Sequence, residues 1–90
     1  MANSISTTGM TGGTISTTHK SGESVLQWVG RHNSSVDQGT PGNTLTTKWP
    51  CSSGEETVTT NRIAGESDAD FISRHESVYV LEMNGCPPVP

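Results

Sequence analysis

The chain has 90 residues, a formal net charge of -4 and only 29% hydrophobic residues, against abundant Ser, Thr and Gly. Five Lys+Arg against nine Asp+Glu leave no basic patch to neutralise phosphates, which argues against nucleic acid, and no stretch approaches the ~20 apolar residues of a membrane span. A chain this short makes one domain with a thin core, burying about 60–65% of the surface its unfolded form exposes.

Low hydrophobicity alone would suit a disordered chain, but the charge is modest and two Trp are present. The N-terminal run Met1-Ala2-Asn3-Ser4-Ile5 has neither a basic nor an apolar segment of signal-peptide type, so the expected compartment is cytoplasmic. Two cysteines are too few for a disulfide framework and are not spaced as a zinc ribbon.

An internal repeat organises the sequence. Residues 14–36 align without a gap on residues 57–79 at an offset of 43, with eight of 23 positions identical: Thr14, Thr17, Gly22, Glu23, Ser24, Arg31, His32 and Ser34. Chance gives roughly one or two identities at residue frequencies of about 5–7%. Upstream, Ser4-Ile5-Ser6-Thr7 matches Thr44-Leu45-Thr46-Thr47 at offset 40, and the second copy carries extra residues around Trp49-Pro50-Cys51.

Each copy reads as strand, strand, helix. Alternating Thr and aliphatic residues predict strands at 4–8 and 14–19, joined by a turn at Gly9–Gly13, with Ile5 and Ile15 facing inward. Ser24, three residues before Gln27, predicts the cap of a helix over about 24–38 that ends at Gly39 with Pro41 beyond. Strands at 44–49 and 57–62 follow, joined at Cys51–Glu55, with Leu45 and Val58 facing inward. Ser67 and Asp70 predict the cap of a second helix over about 67–83, stopped by Gly85, Pro87 and Pro88. Val25, Trp28, Val29, His32 and Val36 form one helical stripe; Phe71, Ile72, His75, Val78 and Tyr79 form the other. Val78-Tyr79-Val80-Leu81 carries strand propensity, leaving either a helix buried on two sides or an extended end.

The expected fold is therefore α+β: a tandem ββα repeat (ββαββα) with a four-stranded antiparallel sheet, both helices on one face, and a pseudo-twofold axis. The expected domain spans residues 1–90, from units of about 1–42 and 43–90.

Few residues offer chemistry. Gly-Glu-Ser, at 22–24 and 65–67, is a loop entering a helix; anion binding there is opposed by Glu23 and Glu66, so a turn plus cap is the better reading. His32 and His75 are the candidate metal ligands, but a metal site wants three or four ligands, and packing on Trp28 or Phe71 one turn away accounts for them better. Arg74 is expected to pair with Asp70 at i,i+4. Cys51 and Cys86 arrive at the same end of the second unit, because the strand runs out about 23 Å and the helix returns about 25 Å. A disulfide between them is within reach, or two thiols in a reducing compartment. Neither thiol has a CxxC partner or a basic helix start to activate it.

The Ser/Thr faces of the strands form a hydroxyl array that resembles the Thr arrays of ice-binding proteins, although Thr is favoured on exposed strands in any case. The leading expectation is a small non-enzymatic interaction or structural module that requires no cofactor or metal and binds a protein partner or its own kind. A metal- or thiol-dependent enzyme using His32, His75, Cys51 and Cys86 is the alternative, and polymer or ice binding through the Thr face is the third.

Overall fold

A computed structural model describes residues 3–90; Met1 and Ala2, the start of the expected first unit, lie outside the described residues. The elements follow as β1 (Ser4–Met10), β2 (Gly13–Thr18), α1 (Val25–Asp37), β3 (Pro41–Cys51), β4 (Gly54–Asn61) and α2 (Asp68–Gly85). The fold is α+β, with one four-stranded antiparallel sheet in the order β2-β1-β3-β4 and two helices.

Period-two alternation builds the sheet. On β3, Leu45, Thr47, Trp49 and Cys51 are buried while Thr44 and Lys48 are exposed. On β1, Ile5, Thr7 and Met10 are buried. The strands outrun the expected bounds: β1 continues to Met10, and β3 begins at Pro41, after the three residues Gln38, Gly39 and Thr40 that follow the first helix. Proline is tolerated there because the first residue of a strand need not donate to the ladder. The expected five-residue turns shrink to Thr11-Gly12 and Ser52-Ser53. Ile15 is half-buried and packs on the edge of the core, whereas Met10 and Trp49 supply core side chains the alternation had not assigned.

At the centre of the sheet, β1 pairs with β3 in the register Ser6↔Lys48, Thr7↔Thr47 and Thr8↔Thr46. The register shifts between Thr8 and Met10. Gly9 lies there at φ 108, a conformation that L side chains rarely adopt, and a Cβ on it would sit 2.0 Å from the Thr44 carbonyl oxygen.

Both helices start as their sequences direct. The Ser24 hydroxyl accepts the Gln27 N–H, and the Gln27 side chain accepts the Ser24 N–H, a complete capping box. Ser67 accepts the Asp70 N–H. The helices run in opposite directions: Val25 and Val29 lie beside Val80 and Met83, and Val36 shares a cluster with Phe71 and Ile72. Residues 78–81 are helical, so their strand propensity loses to the continuing hydrogen-bond ladder. Tyr79 is buried while Val78, Val80 and Leu81 reach solvent, so the chain there is neither extended nor buried on two sides. Ile5, Trp28, Trp49, Val58, Tyr79 and Met83 form one core cluster, and Met10, Val36, Leu45, Phe71 and Ile72 the other. No described helix is long and apolar enough to cross a membrane.

Candidate functional site

His32 and His75 lie fully buried between helices and sheet. His32 Nδ1 bonds the Thr17 hydroxyl and Nε2 the Thr7 hydroxyl, each at 2.8 Å. His75 Nδ1 bonds Thr60 at 2.5 Å, and Nε2 bonds Thr47 at 2.7 Å. Thr7 and Thr47 bond each other at 2.7 Å, so one chain of hydrogen bonds runs Thr17–His32–Thr7–Thr47–His75–Thr60 across the sheet. Every ring nitrogen is engaged by a hydroxyl, which leaves no lone pair directed at a metal. Burial holds both imidazoles down to about 4, with His75 and Arg31 adding for His32 and Arg74 for His75.

The expected ring contacts are different in the structure. His32 and His75 both lie edge-on to Tyr79, at 6.3 and 5.3 Å between centroids, and it is His19 that meets Trp28. The reason is that α2 brings Tyr79 one turn past His75 and between the two imidazoles. The Tyr79 hydroxyl donates to Asn33 Oδ1, and burial pushes its pKa up. Beside it, burial and the Asp37 carboxylate push Glu76 up to about 8, and Glu76 Oε2 is buried without a hydrogen-bond partner among the described residues.

The Gly-Glu-Ser loops are tied to arginine rather than open to an anion. Arg31 holds Glu23 with two bonds of 2.8 Å, and Arg74 holds Glu66 likewise. These bonds draw both carboxyls down to about 2. Arg74 thus pairs with Glu66 and not with Asp70; its second amino group also donates to the Asn61 carbonyl, a fork that a helical i,i+4 pair does not offer. With Ser24 and Ser67 spent as caps, neither hydroxyl lies against a histidine as a nucleophile beside a base.

Cys51 and Cys86 are joined by a disulfide, with Cα atoms 5.7 Å apart. The surrounding corner is built from Trp49, whose indole N–H donates to the Cys86 carbonyl at 2.8 Å, and from Val89, whose N–H donates to the Pro50 carbonyl at 2.9 Å. Glu56, opposite Trp49 in the β3–β4 register, brings a carboxylate oxygen within 4.8 Å of both sulfurs.

Two surfaces remain. The open face of the sheet is a grid of hydroxyls bonded across strands: Ser4 to Thr18 at 2.8 Å, Ser6 to Ser16 at 3.1 Å and Thr46 to Thr59 at 3.0 Å, with Thr44 donating to Asn61 at 2.9 Å. On the helical side, a groove of about 240 Å³ is lined by Val25, Leu26, Val29, Val80, Met83, Asn84, Pro87 and Pro88, none of them charged. Leu26 is 84% exposed at its rim, and Leu81 on α2 is 67% exposed.

Three features escaped the sequence reading. Thr7, Thr17, Thr47 and Thr60 point inward because they stand two residues after Ile5, Ile15, Leu45 and Val58, a spacing that was legible. Glu56 needed the β3–β4 register. Leu26 was hidden by its stripe neighbours Val25 and Val29. No protein-family model, curated protein or solved structure matches the chain.

Proposed function

We propose that the chain is one domain made of two ββα units, about 1–42 and 43–90, related by a tandem duplication and a pseudo-twofold axis. Its role is that of a small non-enzymatic structural module that pairs with a second copy of itself. The repeat is supported by matched contacts at matched positions: Glu23–Arg31 with Glu66–Arg74, and His32 on Thr7 and Thr17 with His75 on Thr47 and Thr60.

The observation that carries the function is the exposed Leu26 at the rim of an uncharged groove, with Leu81 exposed on α2. Exposed apolar patches of this kind mark contact surfaces. The net charge of -4 does not oppose self-pairing here, because no charge lines the groove. A standard interface takes about 800 Å² from each partner, so the contact must extend beyond the groove. An enzyme using His32 and His75 is disfavoured, since their ring nitrogens are already engaged.

Sedimentation velocity across a concentration series tests the reading. The wild type should sediment as a dimer, and Leu26→Glu with Leu81→Glu as a folded monomer. A wild type that remains monomeric at millimolar concentration overturns it.

The cross-bonded hydroxyl grid favours a second reading, adhesion to a hydroxylated polymer or ice. Thr46→Lys, placed in the middle of the grid, should abolish retention on such a surface; unchanged retention, or none in the wild type, removes this reading.

A further inference from the structure

We propose that reduction of the Cys51–Cys86 disulfide creates a binding site for one zinc ion, held by both sulfurs and the Glu56 carboxylate. The three ligand atoms already lie within 4.8 Å of one another. Zinc at about 2.3 Å from sulfur and about 2.0–2.2 Å from oxygen, in tetrahedral geometry, sets its ligands roughly 3.5–3.8 Å apart. The sulfurs therefore separate from covalent contact, and the carboxylate closes in by at most little more than about an ångström. Those are side-chain rotations; they ask little of a backbone whose Cα atoms stand 5.7 Å apart.

The backbone is held there by bonds other than the disulfide. Trp49 donates to the Cys86 carbonyl and Val89 donates to the Pro50 carbonyl, so the C-terminal segment stays tethered to β3 when the sulfurs part. Cys51 and Glu56 sit on paired strands across a two-residue turn, which fixes their separation. Ser53 Oγ lies 3.3 Å from the Cys51 sulfur and 3.5 Å from that of Cys86, placed to donate to either thiolate and support it as a ligand.

The charge chemistry points the same way. Two thiolates and one carboxylate offer a divalent cation three anionic ligands. Thiolate ligands select zinc over magnesium or calcium. Three protein ligands leave a fourth position for water.

The reduction balances by thiol–disulfide exchange with a dithiol. The protein S–S bond breaks, Cys51 and Cys86 each gain one electron and one proton, and the dithiol becomes a disulfide. Zinc then displaces the two thiol protons to solvent.

Cobalt(II) is the probe. The full chain is reduced with a dithiol, freed of it anaerobically and titrated with Co²⁺. We expect one equivalent bound with thiolate-to-cobalt charge transfer and tetrahedral d–d bands, both bleached by one equivalent of Zn²⁺. The oxidised protein should give neither band. Glu56→Gln, checked in its oxidised form for wild-type melting, should keep the charge-transfer band with at least tenfold weaker affinity. Helical circular dichroism is followed in parallel, and a reduced chain that has lost it should regain it with zinc. Absence of charge transfer in the reduced wild type, unchanged affinity in Glu56→Gln, or a reduced chain that zinc fails to refold overturns the site.

Discussion

The hydroxyls of Thr7 and Thr47 meet at 2.7 Å where β1 crosses to β3, and through them His32 and His75 belong to one hydrogen-bonded chain. Each hydroxyl has one proton to give, and each neutral imidazole has one donor and one acceptor. If Thr7 donates to Thr47, then His32 must donate from Nε2, and Thr47 must donate to an unprotonated Nε2 on His75. The reverse direction exchanges the roles. With no proton left unpartnered, the two histidines carry opposite tautomers despite their matched surroundings. Nitrogen-15 shifts of the two rings should show one Nε2–H and one Nδ1–H form; the same tautomer in both would refute the continuous chain.

Thr47→Val should cost about 1–3 kcal/mol. It keeps the shape of the side chain but leaves His75 Nε2 in the core without a partner and the Thr7 hydroxyl with His32 alone. Urea denaturation reads the loss. A substitution that is neutral would mean that water reaches this place.

Stability should peak near pH 6.5. His32 and His75 have pKa values lowered from 6.5 to about 4, so between these values the unfolded chain binds more protons and stability falls as the pH drops. Glu76 is raised from 4.5 to about 8, so there the folded chain binds more protons and stability falls as the pH rises towards 8. Two histidines outweigh one glutamate below 6.5, and above it only the glutamate acts. Glu23 and Glu66, lowered from 4.5 to about 2, steepen the loss at the acid end. Denaturation free energies from pH 4 to 9 should trace this dome, and Glu76→Gln should flatten its alkaline limb. A maximum at pH 8 or above contradicts the assignment.

Gly9→Ala should destabilise far more than Gly12→Ala. Both glycines have positive φ, at 108 and 96, which costs an alanine about 1–2 kcal/mol. A Cβ at Gly12 meets open space, whereas at Gly9 it strikes the Thr44 carbonyl, and that backbone atom can retreat only by opening the β1–β3 pairing. Equal melting points for the two variants would show that the strands are not in this close approach.

Trp28→Ala and Phe71→Ala should each cost about 3–5 kcal/mol, since both side chains are fully buried. Trp28 also surrenders its bond to the Thr17 carbonyl, and Phe71 the ring beneath the guanidinium groups of Arg62 and Arg74. Either variant melting within a few degrees of wild type would contradict the packing.

Local pattern made much of this architecture legible. The alternation around Ile5, Leu45 and Val58 marked the strands, and Ser24 and Ser67 marked the helix starts, because these signals act within a few residues. What failed depended on partners distant in sequence. Glu66 displaced Asp70 as the partner of Arg74 because the loop before α2 folds back on the helix. Tyr79, and neither Trp28 nor Phe71, became the ring beside the histidines through the pairing of the helices. Glu56 acquired its neighbours from strand register and the return of α2 together. The apolar groove emerges only when α1 and α2 lie side by side, so neither helix announces it alone.

The seam between β1 and β3 also sets the order in which the chain can assemble. The pairings β1–β2 and β3–β4 each close over a turn of two residues, and such hairpins form in about 1–10 μs. Thr7 and Thr47 are 40 residues apart, and their meeting must await the larger loss of chain entropy. The central ladder of the finished sheet is therefore the last to zip. Until then, each hairpin presents an inner strand edge, β1 or β3, with no mate. A newly made chain is most prone to pair with the wrong neighbour at that stage, and the bulge at Gly9 marks where the correct partner must fit.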